Sequence, residues 1–353
     1  MDTYKVIGLM SGTSLDGVDL AYCEFTYNNS WKYKIVCAET IAYPFYWIEN
    51  FEKLVNGTKA KAERASVEYG EYLGSIINDF KNKHDISADF IASHGHTIFH
   101  QPEKKYTLQI GDGKAISKIV KLPVIYDFRS LDVKLGGQGA PLVPIGDKFL
   151  FGNYTYCINF GGIANISYEN KGSRIAYDIC PVNMVLNHYS KKLGFEYDAE
   201  GHLASRGNLH KDLLNQLNKL DYYQQSPPKS IGREWVEQNI FPLIEKFDLD
   251  PIDVLRTFTE HITIQINNIL QDLPVGKILI TGGGAKNLYL IDQLQKTASS
   301  EIIIPDDTII EYKESLIFAF LGLLRFRNEI NCLSSVTGAG RDSSCGVIVN
   351  INS

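Results

Sequence analysis

Apolar positions along this chain fall into short runs that alternate with longer stretches of helical spacing. The runs predict strands over 4–10, 18–25 and 32–41. Helices follow near 44–55 and 60–83, the second with Ala65, Tyr69, Tyr72, Leu73 and Ile76 recurring on one face. A short buried strand at 89–93 ends in His94-Gly95-His96, another lies at 107–111, a short helix spans 112–120, and 123–128 is again a strand. The glycine-rich segment 135–144 then breaks all periodicity and reads as a loop or hinge. Strands at 154–160 and 163–169, joined by Gly161–Gly162, and at 174–178 open a second series. Helices over 183–193, 208–219, 233–247 and 251–272 lead to a strand from 277 that runs into three glycines and a helix through Gln295. A strand at 301–305 and a helix over 314–327 complete the pattern.

Each half thus opens with three strands, the first two joined by a glycine-containing turn, before strands and helices alternate. The economical reading is an α/β protein of two similar lobes with a cleft between them. The expected boundaries are 1–140 and 141–353, leaving room for the tail, about 340–353, to return to the first lobe.

The 353 residues, 44% apolar and 22% charged, are those of an ordinary globular protein. A net charge of −6 and a pI near 5.8 argue against a nucleic-acid partner. No apolar run approaches the ~18 residues of a membrane helix, and no signal peptide is expected ahead of the first strand. The six cysteines have no metal-ligand spacing, which suits a reduced, cytoplasmic setting.

Candidate chemistry gathers at the turns. Gly12, Thr13, Ser14, Leu15, Asp16 and Gly17, followed by Val18 and Asp19, link the first two strands. Asp16–Gly17 is expected to supply the left-handed backbone of a tight turn. Glycines let backbone N–H groups approach an anion, hydroxyls donate to phosphate oxygens, and a carboxylate suits Mg²⁺. Gly161–Gly162, with Asn165 nearby, is either a second phosphate clamp or a plain turn. Gly282, Gly283 and Gly284 lie between a strand and a helix, a form that binds nucleotides. There is no GxxxxGK[ST] P-loop, no GxGxxG after a strand and no GxSxG elbow.

Asp16, Asp127 and Asp178 end strands or turns, where active groups of α/β sheets collect. Asp178 suits a general base or a local backbone cap before Pro181. Histidines 94, 96 and 100 favour hydrogen bonding to substrate over metal binding. Arg129 suits a substrate carboxylate or an ion pair within its lobe, and Asp19 and Gln138 are weaker cases of the same kind.

With these residues in place, the chain resembles the anhydro-N-acetylmuramic acid kinases. The resemblance is carried in order by MSGTSLDGVD (10–19), SHGHTIFH (93–100), TLQIGD (107–112), DFRSLDVKLGGQGAPLVP (127–144), NFGGIANIS (159–167), TGGGAKN (281–287) and SVTGA (335–339). It implies an actin-like ATPase fold of two ribonuclease-H-like lobes, with ATP and Mg²⁺ in the cleft, and a homodimer. It implies attack of a carboxylate-activated water on 1,6-anhydro-N-acetylmuramic acid and transfer of the γ-phosphoryl group to the freed O6. The product is N-acetylmuramic acid 6-phosphate, in peptidoglycan recycling. On the resemblance, Gly12–Asp19, Gly161–Gly162 and Gly282–Gly284 hold ATP, Asp16 faces Mg²⁺, and Asp178 is catalytic. His94, Asp127, Arg129, Gln138 and Asn183 are the candidate sugar contacts. The family's D-T-G-P-G-N motif reads Asp178-Ile179-Cys180-Pro181-Val182-Asn183 here, Asn187 stands where a carboxylate often follows, and His96 replaces a usual glutamine. A nucleotide-binding regulator or chaperone-like ATPase with a degenerate sugar site is the rival that these departures keep open. A dehydrogenase using the triple glycine leaves both hairpins unexplained.

Overall fold

A computed structural model describes residues 3–12 and 15–351. By contacts the chain divides into one unit of Met1–Leu150 with Tyr312–Ser353 and a second of Phe151–Glu311. The return to the first unit therefore begins at Tyr312, inside a helix, well before the tail at about 340.

In the first unit β1 (Thr3–Ser11), β2 (Gly17–Asn28) and β3 (Ser30–Ala42) form an antiparallel meander. After two helices come β4 (Phe90–Gln101), β5 (Tyr106–Ile110) and β6 (Val124–Tyr126). β4 lies parallel to β1 and β6 parallel to β4, giving the order β3-β2-β1-β4-β6, with β5 paired to β4. In the second unit β7 (Tyr156–Phe160), β8 (Ile163–Asn170) and β9 (Ser173–Pro181) repeat the meander. β10 (Lys277–Thr281) and β11 (Glu301–Ile303) add on parallel, in the order β9-β8-β7-β10-β11. Three antiparallel strands followed by two parallel ones is the ribonuclease-H-like arrangement, and it occurs in both units. A short β12 (Val347–Val349) extends the first sheet beyond β6, antiparallel to it.

The inner strands are continuous apolar runs because helices cover both their faces. In the first unit Ile7, Leu9, Val18 and Ile91 pack with Trp47, Phe51, Tyr69 and Leu73 of the helices Phe45–Val55 and Lys59–His84. The helix Asp307–Phe326 lies so close to β1 and β4 that a Cβ on Gly8 would overlap the Ser315 carbonyl oxygen. In the second unit Ile158, Phe160, Ile166 and Ile280 meet Val185, Phe258, Ile262 and Leu290.

Several elements differ from expectation, three of them for a plain reason. β4 runs eight residues past Ser93 because β5 pairs with its second half. The helix expected over 233–247 is two, Arg233–Asn239 and Phe241–Glu245, since Pro242 has no N–H to continue the first. The last long helix starts at Asp307 rather than 314, where Asp306 accepts from the Ile309 N–H at 3.0 Å and caps it.

The close approach at Gly8 yields a test. Gly8→Val should destabilise the protein by at least about 1–3 kcal/mol, the usual range for overpacking, read as a lower urea midpoint. An unchanged midpoint would mean that the helix simply steps back.

Candidate active site

The β1–β2 turn is built differently from the sequence expectation. Among its described residues Leu15 is left-handed, at φ 62°, and Gly17 is not. Gly17 is glycine for space, since a Cβ there would lie 2.5 Å from the Ile41 carbonyl oxygen of β3. Thr13 and Ser14 lie outside the described residues. Asp16 is exposed, whereas Val18 is wholly buried in the core. Asp19 accepts a hydrogen bond from Thr40 Oγ1 at 2.6 Å and so ties β2 to β3.

Beside this turn, β1 and β4 are out of step. Leu9 faces Ser93 but Ser11 faces His96, so one strand carries an extra residue, and Gly95 absorbs it at φ 72°. Such bulges re-aim side chains at sheet ends. Here His94 Nδ1 meets the Gly95 carbonyl at 2.8 Å and Nε2 accepts from Arg129 Nε at 3.0 Å. An arginine Nε only donates, so His94 is the Nδ1–H tautomer. Burial, then the Arg129 charge, holds its pKa well below the ordinary value. Arg129 also donates from Nη1 to the Gly139 carbonyl at 2.7 Å. Desolvation lowers its pKa to about 10, against the pull of Glu314, Cys332 and Asp132.

Asp127 sits at φ 55°, an uncommon backbone for a non-glycine, and its Oδ1 accepts from the Ser130 N–H. Gln138 donates its N–H to the Thr337 carbonyl at 2.8 Å. The expected hinge at 135–144 is therefore pinned. Its anchor is Asp132, without solvent exposure, whose Oδ2 accepts from Gly139 N at 2.8 Å. Asp132 Oδ1 accepts from Thr337 Oγ1 at 2.7 Å and from the Cys332 thiol at 3.1 Å. The structure thus joins His94, Arg129 and the 136–139 loop directly, with Asp127 two residues from Arg129.

In the second unit the Gly161 and Gly162 carbonyls accept from the N–H groups of Val182, Asn183 and Met184, which opens the helix Asn183–Lys192. Asn183 Nδ2 donates to the Phe160 carbonyl at 3.0 Å. Asp178 lies beside a second bulge, since Asn165 faces Asp178 and Ala164 faces Cys180, with Ile179 between. Its Oδ2 accepts from Ile231 N at 3.1 Å, and its carbonyl accepts from Tyr222 OH at 2.7 Å. Among the described residues, Oδ1 has no hydrogen-bond partner. Desolvation raises the Asp178 pKa and the Ile231 N–H opposes it. The replaced residues Ile179, Cys180 and Val182 are each no more than 1% exposed and belong to the core, so they take no space from the carboxylate's open side.

The triple glycine borders a cavity of about 270 Å³ in this unit, lined among others by Asn183, Leu186, Asn187, Tyr197, Gly283 and Lys286. Gly282, at φ 81°, and Gly284 are packed so tightly that a Cβ would meet Asn159 Oδ1 at 2.5 Å and Phe160 Cβ at 2.7 Å. Gly283 is open, its nearest neighbour Asn183 Nδ2 at 3.8 Å. Bare backbone facing a cavity suits the planar base and sugar of a nucleotide. Asn183 lines this cavity; Asp178 does not. Mg²⁺ usually keeps its waters and phosphate ligands and takes one or two carboxylates, so the exposed Asp16 fits an ion carried in on phosphates. Among the described residues no group of three His, Cys, Asp or Glu is gathered to hold a metal alone.

Sequence reasoning missed Asp132, Tyr197, Lys286 and Glu314. Glu314 is half-buried, its pKa raised by desolvation and drawn back by Arg129 and Lys313. Its signal was a carboxylate at the head of the nearly unbroken apolar run 315–324.

Comparison with known proteins places the chain in a family. The family model described as anhydro-N-acetylmuramic acid kinase matches residues 4–351. The anhydro-N-acetylmuramic acid kinase of Coxiella burnetii is 32% identical over 99% of this chain and 98% of its own length. Those of Sulfurovum and Mannheimia succiniciproducens are 33% and 34% identical, over 98% and 97% of this chain and 99% and 98% of theirs. A solved structure, the (R)-2-hydroxyglutaryl-CoA dehydratase component A of Acidaminococcus fermentans, matches 90% of this chain and 96% of its own at 13% identity. Its TM-score of 0.46 is too loose a likeness to bear on function.

Asp132→Ala would strand three donors around a dry cavity. At about 1–3 kcal/mol for each unpaired buried group, unfolding should become easier by about 3 kcal/mol or more. Chemical denaturation measures this; a loss below about 1 kcal/mol would show that water replaces the carboxylate.

Proposed function

The chain belongs to the anhydro-N-acetylmuramic acid kinase family, and from that premise we propose that it uses ATP to open 1,6-anhydro-N-acetylmuramic acid and phosphorylate O6. The product is N-acetylmuramic acid 6-phosphate. The observation that carries the reading is Asp178, a desolvated carboxylate with one oxygen held by a backbone N–H and the other without a partner among the described residues.

The steps assigned to this chain's residues follow from their surroundings. Asp178 takes the proton of a water that attacks the anomeric carbon. Burial raises its affinity for that proton, while Ile231 N–H fixes the rotamer. The C1–O6 bond breaks and leaves its electron pair on O6; O6 then bonds to the γ-phosphorus as the bond to the β–γ bridging oxygen breaks and ADP leaves. Phosphoryl transfer needs positioning and charge neutralisation more than covalent help. Mg²⁺, when bound with ATP, would supply that neutralisation beside Asp16. The backbone of the β1–β2 turn and of Gly161–Gly162 lies at two sheet ends suited to phosphates, and Gly283 leaves its cavity open for the adenosine. Arg129, its Nε and Nη1 committed to His94 and Gly139, keeps Nη2 for the lactyl carboxylate of the sugar. The altered 178–183 motif leaves the base intact and buries its apolar replacements, which favours a working sugar site over a degenerate one. A cytoplasmic homodimer with a small amino-sugar substrate and no nucleic-acid partner completes the proposal. No helix among the described residues is long and apolar enough to cross a membrane.

Asp178→Asn should abolish measurable turnover, a loss of at least about 10²–10⁴-fold for a general base, while ATP still binds. In the wild type, kcat/KM should fall as pH drops through a pKa above the ordinary aspartate value, because only the ionised carboxylate accepts the proton. Phosphorylation by the variant at the wild-type rate would remove Asp178 from the mechanism.

A further inference from the structure

Ser11 closes β1 at the base of the phosphate turn, and its side chain is 3% exposed. Its hydroxyl meets Tyr43 OH, Tyr69 OH at 2.9 Å and His96 Nδ1 at 3.0 Å. Tyr43 OH and Tyr69 OH meet each other at 2.8 Å. These four contacts require four protons. The three hydroxyls bring one each, so the fourth is on the imidazole nitrogen. A cyclic arrangement in which each hydroxyl donates to the next fills the three edges of the triangle, and Nδ1–H donates to the remaining Ser11 lone pair. The opposite tautomer leaves one edge with two lone pairs face to face in a dry site.

The surroundings support that count. Burial raises the Tyr43 pKa to about 12 and that of Tyr69 well above its ordinary value, so both keep their protons. Burial lowers the His96 pKa to about 4, so the ring carries one proton and no charge near neutrality. The ring is also held in plane, stacked on Phe51 at 3.8 Å and 12°.

We propose that His96 is a positioning residue for phosphoryl transfer. As the Nδ1–H tautomer it donates to Ser11 and fixes the end of β1 from which Gly12 and Asp16 project. The proposal rests on the reading of the β1–β2 turn as the ATP-phosphate end of the site. Misplacement of reacting groups by on the order of 1 Å costs about 10²-fold in rate, so a loosened Ser11 should appear in kcat and in the KM for ATP.

The test uses the full chain. Nitrogen-15 NMR of histidine-labelled protein should show His96 protonated on Nδ1, its signal identified by its loss in His96→Asn. His96→Phe keeps the stacking on Phe51 and removes the donor; it should raise the KM for ATP and lower kcat by about 10-fold or more, with the KM for the sugar unchanged. His96→Asn places an amide N–H near the Nδ1 position and should recover most of that loss. Thermal melts of both variants report whether they are folded. An Nε2–H tautomer, or equal losses in the two variants, overturns the proposal. Asp16→Ala separates it from the reading beneath it. If that variant weakens ATP use while His96→Phe does not, the turn reading stands and the role of His96 falls. If Asp16→Ala leaves ATP use untouched, both fall.

Discussion

A carboxylate with no access to water has to find its partners inside the protein, and Asp132 is such a group. Its two oxygens take a backbone N–H from the nearby loop and a thiol and a hydroxyl from one distant segment. Gly139, held by one oxygen, turns its carbonyl to Arg129, and Arg129 in turn holds His94 and selects its tautomer. The glycine-rich loop is therefore rigid where its composition promises freedom. Arg129 and His94 inherit their positions from Asp132 through Gly139.

The two units apply one topology to different ends. In each, a meander hairpin brings glycine-bearing backbone to the end of the sheet, and a bulge beside it breaks the alternation of side chains. In the first unit the bulge separates His94 from His96, one turned to Arg129 and the other to Ser11. In the second it sits at Ile179 and lifts Asp178 out of step with Cys180, which stays in the core. The same irregularity delivers a carboxylate in one unit and a hydrogen-bond relay in the other.

Much of this was legible in the sequence because apolar runs and glycine turns are local signals. Both meanders and the alternation of strands and helices after them follow from neighbours within a few residues. What escaped depended on distance or on space. Asp132 looks like an ordinary helix-start acid, and its Cys332 and Thr337 partners are 200 and 205 residues away. Gly17 looked like a left-handed residue, but its constraint is the carbonyl of another strand. The Pro242 break and the Asp306 cap were local signals that a smooth hydrophobic period concealed.

The first sheet ends on β12, and the helix covering β1 and β4 comes from beyond residue 306. During synthesis this imposes an order of assembly. The second unit is one continuous stretch, 151–311, and has all its parts once Glu311 leaves the ribosome. The first unit, although its first strands are made earlier, must wait with one face of β1 uncovered until Tyr312–Ser353 emerge. The half of the protein that is translated first is the half that is finished last.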